Sequence, residues 1–182
     1  TSEDETPFTY SPYAVSKLAG ENYCRAFYET YGLNTCVLRY SNVYGPKQIS
    51  INPYCGVIGK FMENIIMEKP IQIHGDGLQT RDYTSVDDTV DATLIAAISP
   101  KAEGQIFNVG TEIETNMLQL VSAIEKVTGK KAIIDFVDKR DIDNVRRRVL
   151  NIEKIRYMLK WTPQTTLEKG LEKTHEWFMN NL

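Results

Sequence analysis

Two short apolar runs constrain this chain most, residues 35–40 (TCVLRY) and residues 105–109 (QIFNV). Each is largely apolar and favours extended backbone, so each reads as a strand buried on both faces, the kind found in parallel sheets. Parallel neighbours cannot be joined by a tight hairpin and need a long crossover, which makes helices between the strands the natural filling. Ser11-Pro12 is a helix-start signal: a hydroxyl that caps free N–H groups, followed by a ring that fits the first turn. With Gly32 as the left-handed stop, a helix is predicted over residues 12–31, with Val15, Leu18, Ala19, Tyr23 and Phe27 as its apolar stripe.

Further helices are predicted over residues 57–68, from a cap at Asp87 or Asp88 to residue 98, and over residues 116–128, 151–159 and 167–179. Val90, Leu94, Ala97 and Ile98 form the expected buried side of the helix that ends at residue 98. Short strands are expected at residues 71–74 and 132–137, with a turn at Gly75-Asp76-Gly77 and a charged loop through Arg148. The class is mixed α/β. A doubly wound nucleotide-binding sheet has about six strands and a Gly-x-Gly-x-x-Gly turn, and neither the full strand count nor that turn is found in the chain. Half the sheet is therefore expected elsewhere, upstream of Thr1.

Composition narrows the partners. A net charge of -3 gives no electrostatic reason to expect nucleic acid, and no apolar run is long enough to suggest a membrane span. The three cysteines, Cys24, Cys36 and Cys55, are odd in number and form no Cys-x-x-Cys unit, so buried free thiols in a reducing cytoplasm are the simplest reading. His74 and His175 stand apart without ligand-spaced neighbours, and no metal site is expected.

The residues with chemical promise are Tyr13 and Lys17, four apart and so on one helix face. A free Tyr has a pKa of about 10, and a nearby ammonium favours its phenolate. Such a pair can take a proton from a hydroxyl while the Lys holds ribose hydroxyls of a nicotinamide cofactor; an exposed helix face is the plain alternative.

The surrounding sequence adds a resemblance. The segment from Ser11 to Glu21 (SPYAVSKLAGE) resembles the active-site helix of the extended short-chain dehydrogenases that act on nucleotide-activated sugars, the NAD-dependent epimerase/dehydratase family. Three more segments match in order: LRYSNVYGP from Leu38, then IHGDG from Ile73 with TRDYT from Thr80 and VDD from Val86, and FNVG from Phe107. They resemble the strand and loop beside the nicotinamide, the hairpin and return of the substrate domain, and the last core strand.

The resemblance implies the C-terminal part of a Rossmann-like doubly wound sheet plus a small mixed α/β substrate-binding domain. Residues 1–42 and 86–112 would form the partial NAD-binding domain, and residues 43–85 and 113–182 the substrate domain. Tyr13 would be the base and Lys17 its partner and ribose ligand, with Tyr40 near the nicotinamide of NAD. Asn42, Arg81 and Arg140 would contact the substrate diphosphate, with Gln72 and His74 beside a pyrimidine base. The run Arg146-Arg147-Arg148 reads either as a solvated loop or as a second phosphate clamp through Arg146. The family's catalytic Ser or Thr and its acidic cofactor-ribose ligand, like the Gly-rich turn, would lie upstream of Thr1.

The expected activity is epimerisation of a nucleotide-diphosphate sugar, at C4 of a UDP-sugar, through a keto-sugar. A 4,6-dehydratase or a non-catalytic nucleotide-sugar-binding module is the alternative, and a homodimer through the Tyr13 helix is implied.

Overall fold

The cap signals at Ser11 and Gly32 place the first helix as the sequence implies. In the computed structural model, which describes residues 1–5, 7–9, 11–49, 56–139 and 145–181, helix α1 spans Pro12–Tyr31. Ser11 Oγ accepts the Ala14 N–H at 3.2 Å, and Gly32, at φ 65°, closes the helix by donating to the Tyr28 carbonyl at 3.0 Å. Then follow β1 (Cys36–Tyr40), β2 (Asn42–Tyr44), α2 (Val57–Ile66), β3 (Pro70–His74), β4 (Thr80–Arg81), β5 (Tyr83–Ser85) and α3 (Val86–Ile98). A 3-10 turn at Pro100–Ala102 leads to β6 (Gln105–Val109), β7 (Thr115–Asn116), α4 (Met117–Thr128), β8 (Ile133–Val137), β9 (Arg147–Arg148), α5 (Glu153–Leu159) and α6 (Leu167–Asn181).

The two apolar runs do pair. β1 and β6 are parallel, in register from Cys36 opposite Gln105 to Tyr40 opposite Val109. Helix α1 runs back along them. Its C-terminal turn lies beside the foot of β6, because Tyr28 fills the space that a Cβ on Gly104 (φ 67°) would occupy. Near the top, Arg39 of β1 forks onto Glu21 of α1 with bonds of 2.9 and 2.6 Å. The N-terminal turn of α1 is thereby carried to the C-terminal ends of the parallel strands, where ligands of open α/β sheets bind.

Two hydrophobic cores result. One gathers Phe107, Val109, Ala92, Ala96 and Ala102 with Ile152, Ile155, Leu159 and Trp161, so α5 packs beside β6. The other gathers Phe61, Met62, Ile65, Ile71, Ile73, Tyr83, Leu120, Ile124, Leu171 and Phe178, in which α2, α4 and α6 cover the parallel pair β3–β8. β2 pairs with β5 between them, also in parallel.

Several sequence expectations need correction. Helix α3 is capped by Ser85, whose Oγ accepts the Asp87 N–H at 3.3 Å; Asp87 and Asp88 fall in its first turn. Its buried face is Asp88, Thr89, Ala92 and Ala96, while Val90, Leu94 and Ile98 point outward, because small side chains let the helix approach the strands closely. The stripe of α1 likewise leaves Val15, Tyr23 and Phe27 exposed, and no α1 residue is buried. Strands β3 and β4 flank the Gly75–Gly77 turn without forming a hairpin: β3 takes the longer partner β8, and two-residue β4 lies between β7 and β9. The loop expected through Arg148 therefore ends in a strand. Helix α5 begins one residue later than a cap at Asn151 would place it, with Ile152 at the cap position; the Asn151 side-chain oxygen accepts the Glu153 N–H at 2.9 Å from just ahead of it.

Cys24 and Cys36 are free thiols but only half-buried, against the expectation of buried ones, and Cys55 lies outside the described residues. No helix among the described residues is long and apolar enough to cross a membrane. Leu171 of α6 is fully buried in the core it shares with α2 and α4, so Leu171→Ala is expected to cost about 2–5 kcal/mol in a denaturant titration. A loss under about 1 kcal/mol would mean that this core is not packed as described.

Candidate functional site

The first group of site residues sits on α1. Tyr13 is 70% exposed, and the Lys17 ammonium lies 5.3 Å from the centre of its ring, over the aromatic face. Among the described residues neither the Tyr13 hydroxyl nor the Lys17 ammonium has a hydrogen-bond partner, so both remain available to a ligand. Tyr40 ends β1 with its ring 46% exposed and its hydroxyl 2.9 Å from Thr93 Oγ1 on α3. The geometry thus presents a phenol, an ammonium and an aromatic face at the carboxyl end of a parallel strand pair.

The second group converges on the loop between β4 and β5. Asn42 starts β2, and its N–H donates to the Asp82 carbonyl at 2.9 Å. Arg81 precedes Asp82 on β4; one guanidinium nitrogen donates to the carbonyls of Thr80 and Val145, each at 2.8 Å. β4 pairs in parallel with β9, Arg81 opposite Arg148. Asn42, Arg81 and the arginine run are accordingly neighbours. Arg140 lies outside the described residues.

Two members of the arginine run are met by carboxylates. Arg146 donates to both oxygens of Asp76 at 2.6 and 2.9 Å, and Arg147 donates to Glu114 at 2.7 Å. Arg146 therefore clasps the turn that follows β3. Its guanidinium, with the Leu78 N–H, holds the Asp76 carboxyl at about 2, well below the ordinary carboxylate range. Both partners are about half exposed, so a phosphate could compete for Arg146 without leaving a buried charge unpaired.

Gln72 and His74 share the exposed side of β3. Gln72 lies opposite Asp135 of β8, and the His74 ring nitrogen Nδ1 is 3.0 Å from the Asp138 carbonyl oxygen. They flank the turn that Arg146 clasps. A separate cavity of about 140 Å³ is lined by Tyr83, Thr111, Ile113, Thr115 and residues 163–167, and none of the sequence-derived site residues borders it. No group of three or more His, Cys, Asp or Glu side chains among the described residues could hold a metal ion.

Sequence reasoning missed three side chains that set this geometry. Arg39 and Glu21 orient α1; the ion pair and its hydrogen bonds hold the Arg39 guanidinium in its charged form. The available signal was a charge placed inside an apolar strand. Asp82, 1% exposed, was hidden in a run of polar residues.

Comparison with known proteins bears on these residues. The sequence model of the NAD dependent epimerase/dehydratase family matches residues 1–110. UDP-glucose 4-epimerase of Mycolicibacterium smegmatis is 40% identical over 182 residues, covering 99% of this chain and 56% of that protein. dTDP-D-glucose 4,6-dehydratase of Bos taurus is 34% identical, over 94% of this chain and 48% of that protein. The crystal structure of UDP-glucose 4-epimerase from Thermotoga maritima, with UDP-glucose, superposes with a TM-score of 0.94 at 37% identity, over 99% of this chain and 57% of that one. The chain spans about half the length of the curated relatives it matches.

The depressed Asp76 carboxyl gives a pH test. Because its folded pKa lies below the unfolded value, the clasp contributes fully above about pH 4 and is lost as pH falls toward 2. In a side-chain carboxyl NMR titration Asp76 should titrate near 2, and Arg146→Ala should return it toward the ordinary range. An unchanged midpoint in the variant would show that Arg146 is not its partner.

Proposed function

Since this chain belongs to the NAD-dependent epimerase/dehydratase family, we propose that the protein epimerises a nucleotide-activated sugar, at C4 of a UDP-sugar, through a keto-sugar. The observation that carries this reading is the Tyr13–Lys17 pair, unengaged and exposed where α1 reaches the C-terminal ends of β1 and β6. Bound NAD would supply a reversible hydride acceptor for the sugar carbon. The donor set suits that cofactor: an ammonium for ribose hydroxyls, and a half-exposed Tyr40 ring for the nicotinamide side.

In this scheme Tyr13 is the base that takes the proton of the C4 hydroxyl and later returns it to the keto oxygen, with the Lys17 ammonium beside its ring. Asn42 and Arg81 hold the diphosphate, with Arg140 assigned to the same task by resemblance, and Gln72 and His74 border the base. Arg146 would exchange Asp76 for phosphate as substrate arrives.

The two cores support a division into a cofactor side and a substrate side, with residues 1–42 and 86–112 on the first and residues 43–85 and 113–182 on the second. Helix α5 is the exception: it belongs to the second by sequence but packs with β6. The exposed Val15, Tyr23 and Phe27 of α1 support a homodimer through that helix, since a stripe of this kind needs a cover. A reducing cytoplasm is the proposed setting, in keeping with the free Cys24 and Cys36.

The test is incubation of the full-length protein with NAD and UDP-sugars, followed by product analysis. A product of unchanged mass and inverted C4 supports the epimerase; loss of water from the product marks the 4,6-dehydratase; binding without turnover marks a binding module. Tyr13→Phe should lower turnover by about 10²- to 10⁴-fold while the protein still binds UDP-sugar. Undiminished activity in that variant would remove Tyr13 from the mechanism.

A further inference from the structure

Asp82 is buried, and its carboxylate is engaged by two separate stretches of chain. One oxygen accepts the Thr111 N–H at 2.9 Å and the Thr111 hydroxyl at 2.6 Å. The other accepts N–H groups of Thr111, Glu112 and Leu150, at 3.2, 3.3 and 3.5 Å. The backbone around it is built to fit: a Cβ on Gly110 would stand 2.6 Å from the second oxygen. Among the described residues no cation pairs with this carboxylate, so its charge is met by N–H and O–H dipoles alone.

The positions of those donors give the cluster its meaning. Thr111 and Glu112 follow β6, and Leu150 lies two residues past Arg148 of β9. The Asp82 carbonyl receives the Asn42 N–H, and Arg81 is its covalent neighbour. One residue thus fixes the spacing between the start of β2, the guanidinium on β4, the end of the arginine run and the exit of the β1–β6 sheet. A diphosphate contacted from β2 and β4 needs those origins held within about 0.5 Å, and a shift of about 1 Å in such a frame can cost up to a hundredfold.

We infer that Asp82 is a positioning residue for the diphosphate: it touches no ligand, and sets the separation of the groups that do. The inference rests on the proposed nucleotide-sugar site and extends it to the support beneath. An acid that only contributed stability would lower the melting temperature of the protein and leave nucleotide affinity alone. A positioning acid moves the affinity itself.

The experiment is calorimetric titration of UDP into the full-length protein and two variants, Asp82→Asn and Leu171→Ala. Leu171 lies in the core that α2, α4 and α6 form, makes no contact with the Asp82 carboxylate, and serves as a control for stability loss. The expected result is UDP affinity weakened about tenfold or more in folded Asp82→Asn and unchanged in Leu171→Ala. Wild-type affinity in folded Asp82→Asn, or an equal loss in both variants, overturns the inference. If Asp82→Asn fails to fold, Thr111→Val removes one donor and keeps the carboxylate; a folded Thr111→Val should weaken UDP binding, and unchanged affinity there also overturns the proposal. No UDP binding by the unmodified protein would instead overturn the nucleotide-sugar reading on which it rests.

Discussion

A buried carboxylate that collects N–H and O–H donors from distant stretches of chain is the constraint on which the rest of this structure turns. An unpaired charge at 1% exposure would be severely penalised, so the donors around Asp82 have to be present together. That requirement brings the exit of β6 and the segment after β9 to the end of β4, while the Asp82 carbonyl, accepting the Asn42 N–H, ties in β2. Asp88 repeats the device on a smaller scale, accepting the N–H groups of Gln164 and Thr165 at 3.0 and 2.9 Å and fastening the approach to α6 onto the start of α3. Asp82 and Asp88 therefore work as joints between segments distant in sequence.

The same contrast explains how far the sequence could be read. Helix α1 was legible to its ends because Ser11, Pro12 and Gly32 act within a few residues of their own positions. β1 and β6 were legible as members of a parallel sheet because both runs are largely apolar, but their pairing with each other was not, and β1 is only half-buried, with Tyr40 exposed. The cap of α3 was not, since Asp88 looks like a helix cap yet serves residues 164 and 165. Nor was its buried side: Val90, Leu94 and Ile98 are the more apolar set, but Ala92 and Ala96 permit the closer approach.

The candidate site divides along the same line. Tyr13 and Lys17 could be found from their spacing on one helix, and Arg81 from the segment around it. The state of the arginine run could not, because Asp76 and Glu114 lie far from it in sequence and reach it only after β4 has paired with β9. Arg39 illustrates the intermediate case. Its charge was visible within an apolar strand, but the partner that explains it, Glu21, emerges only once α1 lies along β1.

Pairing β1 with β6 also shapes how the chain reaches its structure. The loop that this pairing closes contains all of α2, β3 and α3, and an open chain of that length forfeits considerable freedom before the first ladder bond returns anything. Slow assembly is characteristic of sheets built from such distant partners. The core that α2, α4 and α6 form over β3 and β8 joins residues inside that loop to residues beyond β6, so it too is closed across a long stretch of chain. The strand pair that anchors the candidate site therefore shares its closure cost with a core in which neither strand takes part.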